Sequence, residues 1–154
     1  MNKPTNSITP GSASKAAVFK ATALLLPTVF LLSATPAAAQ VVRIVQTNYA
    51  GDNVHLIDPA TNTIVGEITG VEVVHGVAAA PDGSRLYLSN ESTETLDIVD
   101  AKTLQVTNSI PLSGRPNNLA IHKNGKRLYI AIQGTGGGVD IIDTESEENI
   151  RTIR

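Results

Sequence analysis

The chain has 154 residues, with 12 basic and 14 acidic side chains, a formal net charge of −2 and no cysteine. Without cysteine, disulfide stapling, thiol catalysis, thiolate metal sites and covalent c-type haem attachment are all excluded. Apolar residues make up 42% but aromatics only 3%, so recognition by stacking on aromatic platforms has little to work with.

The first element in chain order is a leader. Lys3, Lys15 and Lys20 precede an acid-free apolar run from Ala21 to Leu32, and Ala37-Ala38-Ala39 supplies a small-residue cleavage site. That order of parts is the grammar of a secretory signal peptide. Residues 1–39 are therefore expected to be removed, and the mature chain from Gln40 to be exported to the periplasm or the extracellular space. A retained membrane anchor is the competing reading, disfavoured because the apolar run is shorter than the ~20 residues that span a bilayer. Cleavage would leave nine basic against fourteen acidic residues, a net of −5. This argues against a nucleic-acid partner, which needs clustered Lys and Arg, and against an anionic membrane surface once the leader has gone.

Beyond the leader the chain repeats itself. Arg85-Leu86-Tyr87 recurs as Arg127-Leu128-Tyr129, Asp82-Gly83 as Asn124-Gly125 and Val77-Ala78 as Leu119-Ala120, each 42 positions on. Asn48, Val54 and Asp58 meet Asn90, Leu96 and Asp100 at the same interval, while Asp100 to Asp143 takes 43 because the glycine-rich Gln133–Gly138 loop is one residue longer. Within each copy hydrophobicity alternates with period two, as in half-buried strands. In the central copy strands a, b, c and d are predicted near 75–80, 85–90, 95–100 and 104–110. Asp82-Gly83 and Asn124-Gly125 are hairpin signals between a and b, since such turns need φ > 0. Asp58, Asp100 and Asp143 each open the c-to-d turn, where an Asp side chain accepts backbone N–H groups two or three residues on.

Four strands per ~42 residues is the spacing of a β-propeller blade. The expected class is all-β, a β-propeller segment of four-stranded antiparallel blades over residues 40–154, with copies near 40–69, 75–110 and 117–154. His75-Gly-Val-Ala-Ala-Ala-Pro-Asp-Gly-Ser-Arg-Leu-Tyr-Leu-Ser-Asn and Leu96-Asp-Ile-Val-Asp-Ala-Lys-Thr resemble the YVTN-type β-propeller repeats, with weaker echoes at Asn118–Tyr129 and Val54–Asn62. The resemblance implies a secreted, WD-repeat-like propeller and covers almost all of the mature chain. Only about 11 strands are present, under three blades, whereas such rings usually close with about seven. The expectation is a truncated member with an incomplete ring, or else self-association through the open blade edges.

In a propeller the a-to-b and c-to-d turns share one face, and here they are short and alike. The b-to-c connections (Tyr49–Asn53, Glu91–Thr95, Gln133–Gly138) and the d-to-a connections (Gly70–Val74, Ser113–Pro116) share the other, and these differ between copies. Loops carry function on a rigid scaffold, so this irregular face is where an unknown protein or small-molecule partner is expected. The candidate ligand-binding residues are His75 at the start of an innermost strand, its repeat equivalent Asn117 with neighbouring Asn118, and Arg115, the best-placed cation for an anionic ligand. His75 is foremost expected to hydrogen-bond a neighbouring blade. His55, level with Asp97 and Asp140 in strand c, is expected on a solvated strand face, His122 near an exposed turn, Glu91 and Glu94 as solvated charges, and Tyr87 and Tyr129 as blade-packing residues. The three histidines share no blade position, so no metal site follows, and no catalytic group or cofactor is evident. The expected function is a non-enzymatic exported binding module. The alternative is part of a periplasmic propeller enzyme or its scaffold, resembling amine dehydrogenases, haem d1 proteins or lactonases.

Overall fold

A computed structural model describes residues 41–154; the expected signal peptide lies outside the described residues. Eleven strands follow one another: β1 (Ile44–Thr47), β2 (Asn53–Asp58), β3 (Thr63–Thr69), β4 (Val74–Ala79), β5 (Arg85–Asn90), β6 (Thr95–Asp100), β7 (Val106–Pro111), β8 (Pro116–Ile121), β9 (Arg127–Ile132), β10 (Gly138–Asp143) and β11 (Glu148–Ile153). They form three antiparallel meanders, β1-β2-β3, β4-β5-β6-β7 and β8-β9-β10-β11. The first sheet holds strands b to d of its copy, and each of the others holds a to d. Among the described residues there is no closed ring, and no helix long and apolar enough to cross a membrane.

Period-two patterning turns each sheet into a double-sided wall, and the two cores between the walls follow from it. On β5, Leu86 and Leu88 face the first sheet and pack with Val54 and Ile68. Tyr87 faces the other way, into a cluster with Leu96, Ile98, Leu128, Ile130 and Ile132. Fully burying such a side chain contributes about 1.5–3 kcal/mol, so the middle sheet is held from both faces. The expectation that both tyrosines pack between blades holds for Tyr87, 3% exposed, but not for Tyr129, 39% exposed. Tyr129 occupies the same strand position, but it lies on the face of the third sheet turned away from the second, where no further sheet covers it among the described residues.

The turns follow the sequence with two adjustments. Gly83 and Gly125 have φ of 72° and 76°, but Asp82 and Asn124 do not share the positive φ. Instead Asp82 Oδ1 accepts the Ser84 N–H at 3.0 Å, and Asn124 Oδ1 accepts the Lys126 N–H at 3.0 Å. Asp58, Asp100 and Asp143 make the expected contacts, accepting from Ala60, from Lys102 and Thr103, and from Glu145 and Ser146. Strand d of the central copy starts at Val106, not 104. Leu104 is left-handed (φ 59°), and its N–H goes back to the Asp100 carbonyl at 2.8 Å, which closes the turn. Strand c differs from expectation too. His55, expected on a solvated strand face, is half-buried, and the residues level with it, Asp97 and Asp140, are buried, because adjoining strand ends and the Ser113 loop bring donors to them. Asp97 accepts from Asn90 and Thr95, each at 2.8 Å, and Asp140 accepts from the Ser113 N–H, the Ser113 hydroxyl and Thr152 at 2.7–2.8 Å.

Candidate functional site

The innermost strands of the second and third sheets each carry one irregularity at the same place. The register of β4 against β5 jumps between Val74 and Val77, and that of β8 against β9 between Pro116 and Leu119. In each case two residues face one: His75 and Gly76 stand opposite Ser89, and Asn117 and Asn118 stand opposite Ala131. A β-bulge re-aims the side chains it carries, and three of the four candidate residues ride on these two bulges. The bulges also touch each other. The Asn117 amide lies 3.3 Å from His75 Nε2, so His75 bonds the neighbouring blade as expected. A Cβ on Gly76 would lie 3.1 Å from the Asn117 carbonyl oxygen and from Asn118 Cα, so a larger residue could keep this approach only if the backbone gave way. Ser89 Oγ accepts the Gly76 N–H at 2.7 Å and donates to the Asn117 carbonyl, as Thr47, 42 residues earlier, donates to the His75 carbonyl at 3.3 Å.

A second row of repeat equivalents crosses the rim above the bulges. Tyr49, Glu91 and Gln133 are 42 residues apart and open the three b-to-c loops. Tyr49 donates its hydroxyl to Glu91 Oε2 at 3.0 Å, and Gln133 donates Nε2 to Glu91 Oε1 at 2.6 Å. Arg115 adds Nη2 to Oε2 at 3.0 Å. The Glu91 side chain is only 3% exposed, against 59% for Arg115. The expectation of a solvated Glu91 is therefore corrected: its aliphatic stem leads the carboxylate inward to three convergent donors, one from each adjoining loop. Burial raises the Glu91 pKa, but the Arg115 and Tyr49 hydrogen bonds, the Arg115 charge and the Gln133 amide outweigh it and hold the group below its ordinary value. The same contact raises the Tyr49 pKa, through its hydrogen bond to Glu91 and the Glu91 charge.

The two rows join at Tyr49, whose ring meets His75 edge-on with centroids 5.0 Å apart. His75, Asn117 and Arg115 thus form one contiguous patch linked by Tyr49 and Glu91. Asn118 lies beside it, exposed, its N–H donated to Asn117 Oδ1 at 2.8 Å. Sequence reasoning missed Tyr49 and Gln133 as partners of Glu91, although their 42-residue spacing was a usable signal. His55 and His122 stay apart from the patch. His55 Nδ1 lies 3.3 Å from the Asn48 amide, and exposed His122 uses Nδ1 to accept the Asn124 N–H at 3.3 Å. Among the described residues no group of three His, Asp or Glu side chains is placed to hold a metal.

A cleft of about 360 Å³ also lies between the Pro81–Ser84 and Asn124–Lys126 hairpins on the opposite face. Its Asp82 and Asn124 oxygens are engaged in turn hydrogen bonds. The rim itself is shallow, with a groove along Tyr49–Asp52, Glu72 and Val73.

No family model matches the chain. Among curated proteins, antigen Lp49 of Leptospira interrogans is 31% identical over 51 residues, which is 33% of this chain and 11% of that protein. Among solved structures, hydrazine synthase of Kuenenia stuttgartiensis superposes with a TM-score of 0.68 at 28% identity, covering 71% of this chain and 32% of that one. Dihydro-heme d1 dehydrogenase NirN in complex with DHE superposes with a TM-score of 0.61 at 17% identity, covering 73% and 24%. The chain spans at most about a third of the length of these proteins. The likeness fixes the architecture as all-β and of the propeller type, built from successive antiparallel blades.

Proposed function

We propose that residues 41–154 form part of the wall of an exported propeller protein of the YVTN-repeat kind, and that its irregular rim binds a partner or small ligand at His75, Arg115, Asn117 and Asn118. One observation carries the reading. The rim spends a nearly fully buried carboxylate, Glu91, on fixing three loops and the base of an exposed arginine, whereas the bridging carboxylate of the hairpin face, Glu147, is more exposed and ties only Arg85 and Asn108 of the second sheet to its own turn. Loops held rigid by their neighbours present side chains at fixed positions, as binding sites require. The test is chemical-shift mapping of the ¹⁵N-labelled full-length protein against a fragment library. Shifts are expected at 48–53, 70–76, 91–94, 112–118 and 133–138. Ligands that map to Pro81–Ser84 and Asn124–Lys126 instead, or that leave the rim unmoved, would refute the proposal.

A second reading, a segment of a propeller enzyme or its scaffold, is favoured by two of the structural neighbours being a synthase and a dehydrogenase. It expects a cofactor-dependent absorbance on reconstitution, or a metal-dependent rise in melting temperature lost in His75→Ala. Binding at the rim with neither response favours the non-enzymatic module.

A further inference from the structure

We infer that the rim takes a small organic anion carrying a single carboxylate, gripped by the free edge of the Arg115 guanidinium with its polar body toward His75, Asn117 and Asn118. The inference rests on the binding-rim reading above and names the ligand's chemical class.

The argument starts from what Arg115 is not needed for. Its repeat equivalent is Val73, and both make the same backbone closure. The Val73 carbonyl accepts the Glu91 N–H at 3.1 Å, and the Arg115 carbonyl accepts the Gln133 N–H at 2.8 Å. The loop therefore closes with or without a cation, and the guanidinium is an addition to the fold. It is an oriented addition: Nη2 is anchored on Glu91, which is itself held by Tyr49 and Gln133. Of the five guanidinium donors one is used, so four N–H groups remain on a side chain 59% exposed. A planar fork with its base fixed and its edge free matches a carboxylate or phosphate bidentately, with its ordering cost already met.

Charge decides between those two anions. Among the described residues the rim loops contribute one cation, Arg115, beside Asp52, Glu72, Glu91 and Glu94, and the other cation on this face, Arg154 after β11, donates to the Gly136 carbonyl, so acidic groups remain in excess. Glu91 already neutralises Arg115 in part, and the surrounding carboxylates repel a second negative charge. A singly charged carboxylate is therefore favoured over phosphate. The His75–Asn117 pair and exposed Asn118 supply hydrogen-bonding groups for hydroxyl or amide substituents.

The test uses the ¹⁵N-labelled full-length protein titrated separately with lactate, inorganic phosphate and neutral 1,2-propanediol. Lactate is expected to shift the Arg115 Nε–Hε signal and the His75, Asn117 and Asn118 amides saturably. Phosphate is expected to bind more weakly and the diol not at all. Arg115→Lys, which keeps the charge but loses the fork, is expected to weaken lactate binding at least tenfold while its spectrum stays dispersed. Phosphate binding more tightly than lactate, or an Arg115 signal indifferent to lactate, overturns the carboxylate assignment in the unmutated protein, so the result does not depend on the variant folding. If other fragments move the rim while lactate does not, the anion class falls and the binding rim stands. If nothing moves the rim, both fall.

Discussion

A carboxylate that accepts from three side chains loses part of that grip when it takes up a proton. Glu91 is held below its ordinary value of 4.5, so its ionised form is favoured by folding. Its contribution is present in full above the unfolded-state pKa and is lost as pH falls through the lower folded value. Asp82, Asp100 and Asp143 are shifted the same way, chiefly by backbone N–H groups of their own turns. Their effect has the same sign, and the melting temperature of the wild type is expected to fall below about pH 4.5 through all four. Glu91→Gln isolates one of them. The variant should melt lower than wild type at pH 7, because a neutral amide is a poorer acceptor for Arg115, and the gap should narrow toward pH 3. A gap that stays constant with pH would show that Glu91 is not ionised in the fold. The sequence marked Glu91 as a rim residue but could not show its burial, since burial depends on Tyr49 and Gln133 converging from loops 42 residues away on either side.

At the scale of the strand, most of the architecture was legible. Period two, the 42-residue interval and the turn-opening Asp residues placed all eleven strands, because local patterning and turn chemistry agree here. The bulges were not legible. Val74-His75-Gly76-Val77 slips the alternation by one residue, but only pairing with β5 shows that His75 and Gly76 are together set against Ser89. The strand c position shared by His55, Asp97 and Asp140 looks solvated for a related reason: a polar residue in an alternating strand reads as exposed until an adjoining strand end or loop brings donors to it. The bulge yields a prediction. A Cβ at residue 76 would sit 2.9 Å from Leu119 Cδ2 and 3.1 Å from the Asn117 oxygen. The leucine can turn away but the backbone cannot, so Gly76→Ala is expected to push β4 from β8 at a cost of about 1–3 kcal/mol. Equilibrium urea unfolding measures the cost, and the Asn117 side-chain amide signal reports loss of the His75 contact. A neutral effect on both would mean that the two bulges are not in close contact.

For the assembly of sheets, the repeat makes one position play different parts. Tyr87 is sealed between the second and third sheets, and Tyr129 is open. Tyr87→Ala is expected to cost about 3 kcal/mol and Tyr129→Ala under about 1 kcal/mol, read from urea midpoints at unchanged slope; equal costs would contradict the packing described. The rim is the other feature shared by all three sheets, and Glu91 is its hub. Hydrogen–deuterium exchange on the full-length protein and Glu91→Ala, compared at pH 7, tests that most directly. Faster exchange is predicted at all three b-to-c loops, 48–53, 91–94 and 133–137, and at 115–118, with the Pro81–Ser84 hairpin unchanged. Faster exchange confined to 91–94 would contradict the account, because Glu91 would then hold only its own loop and leave Arg115 without a fixed base.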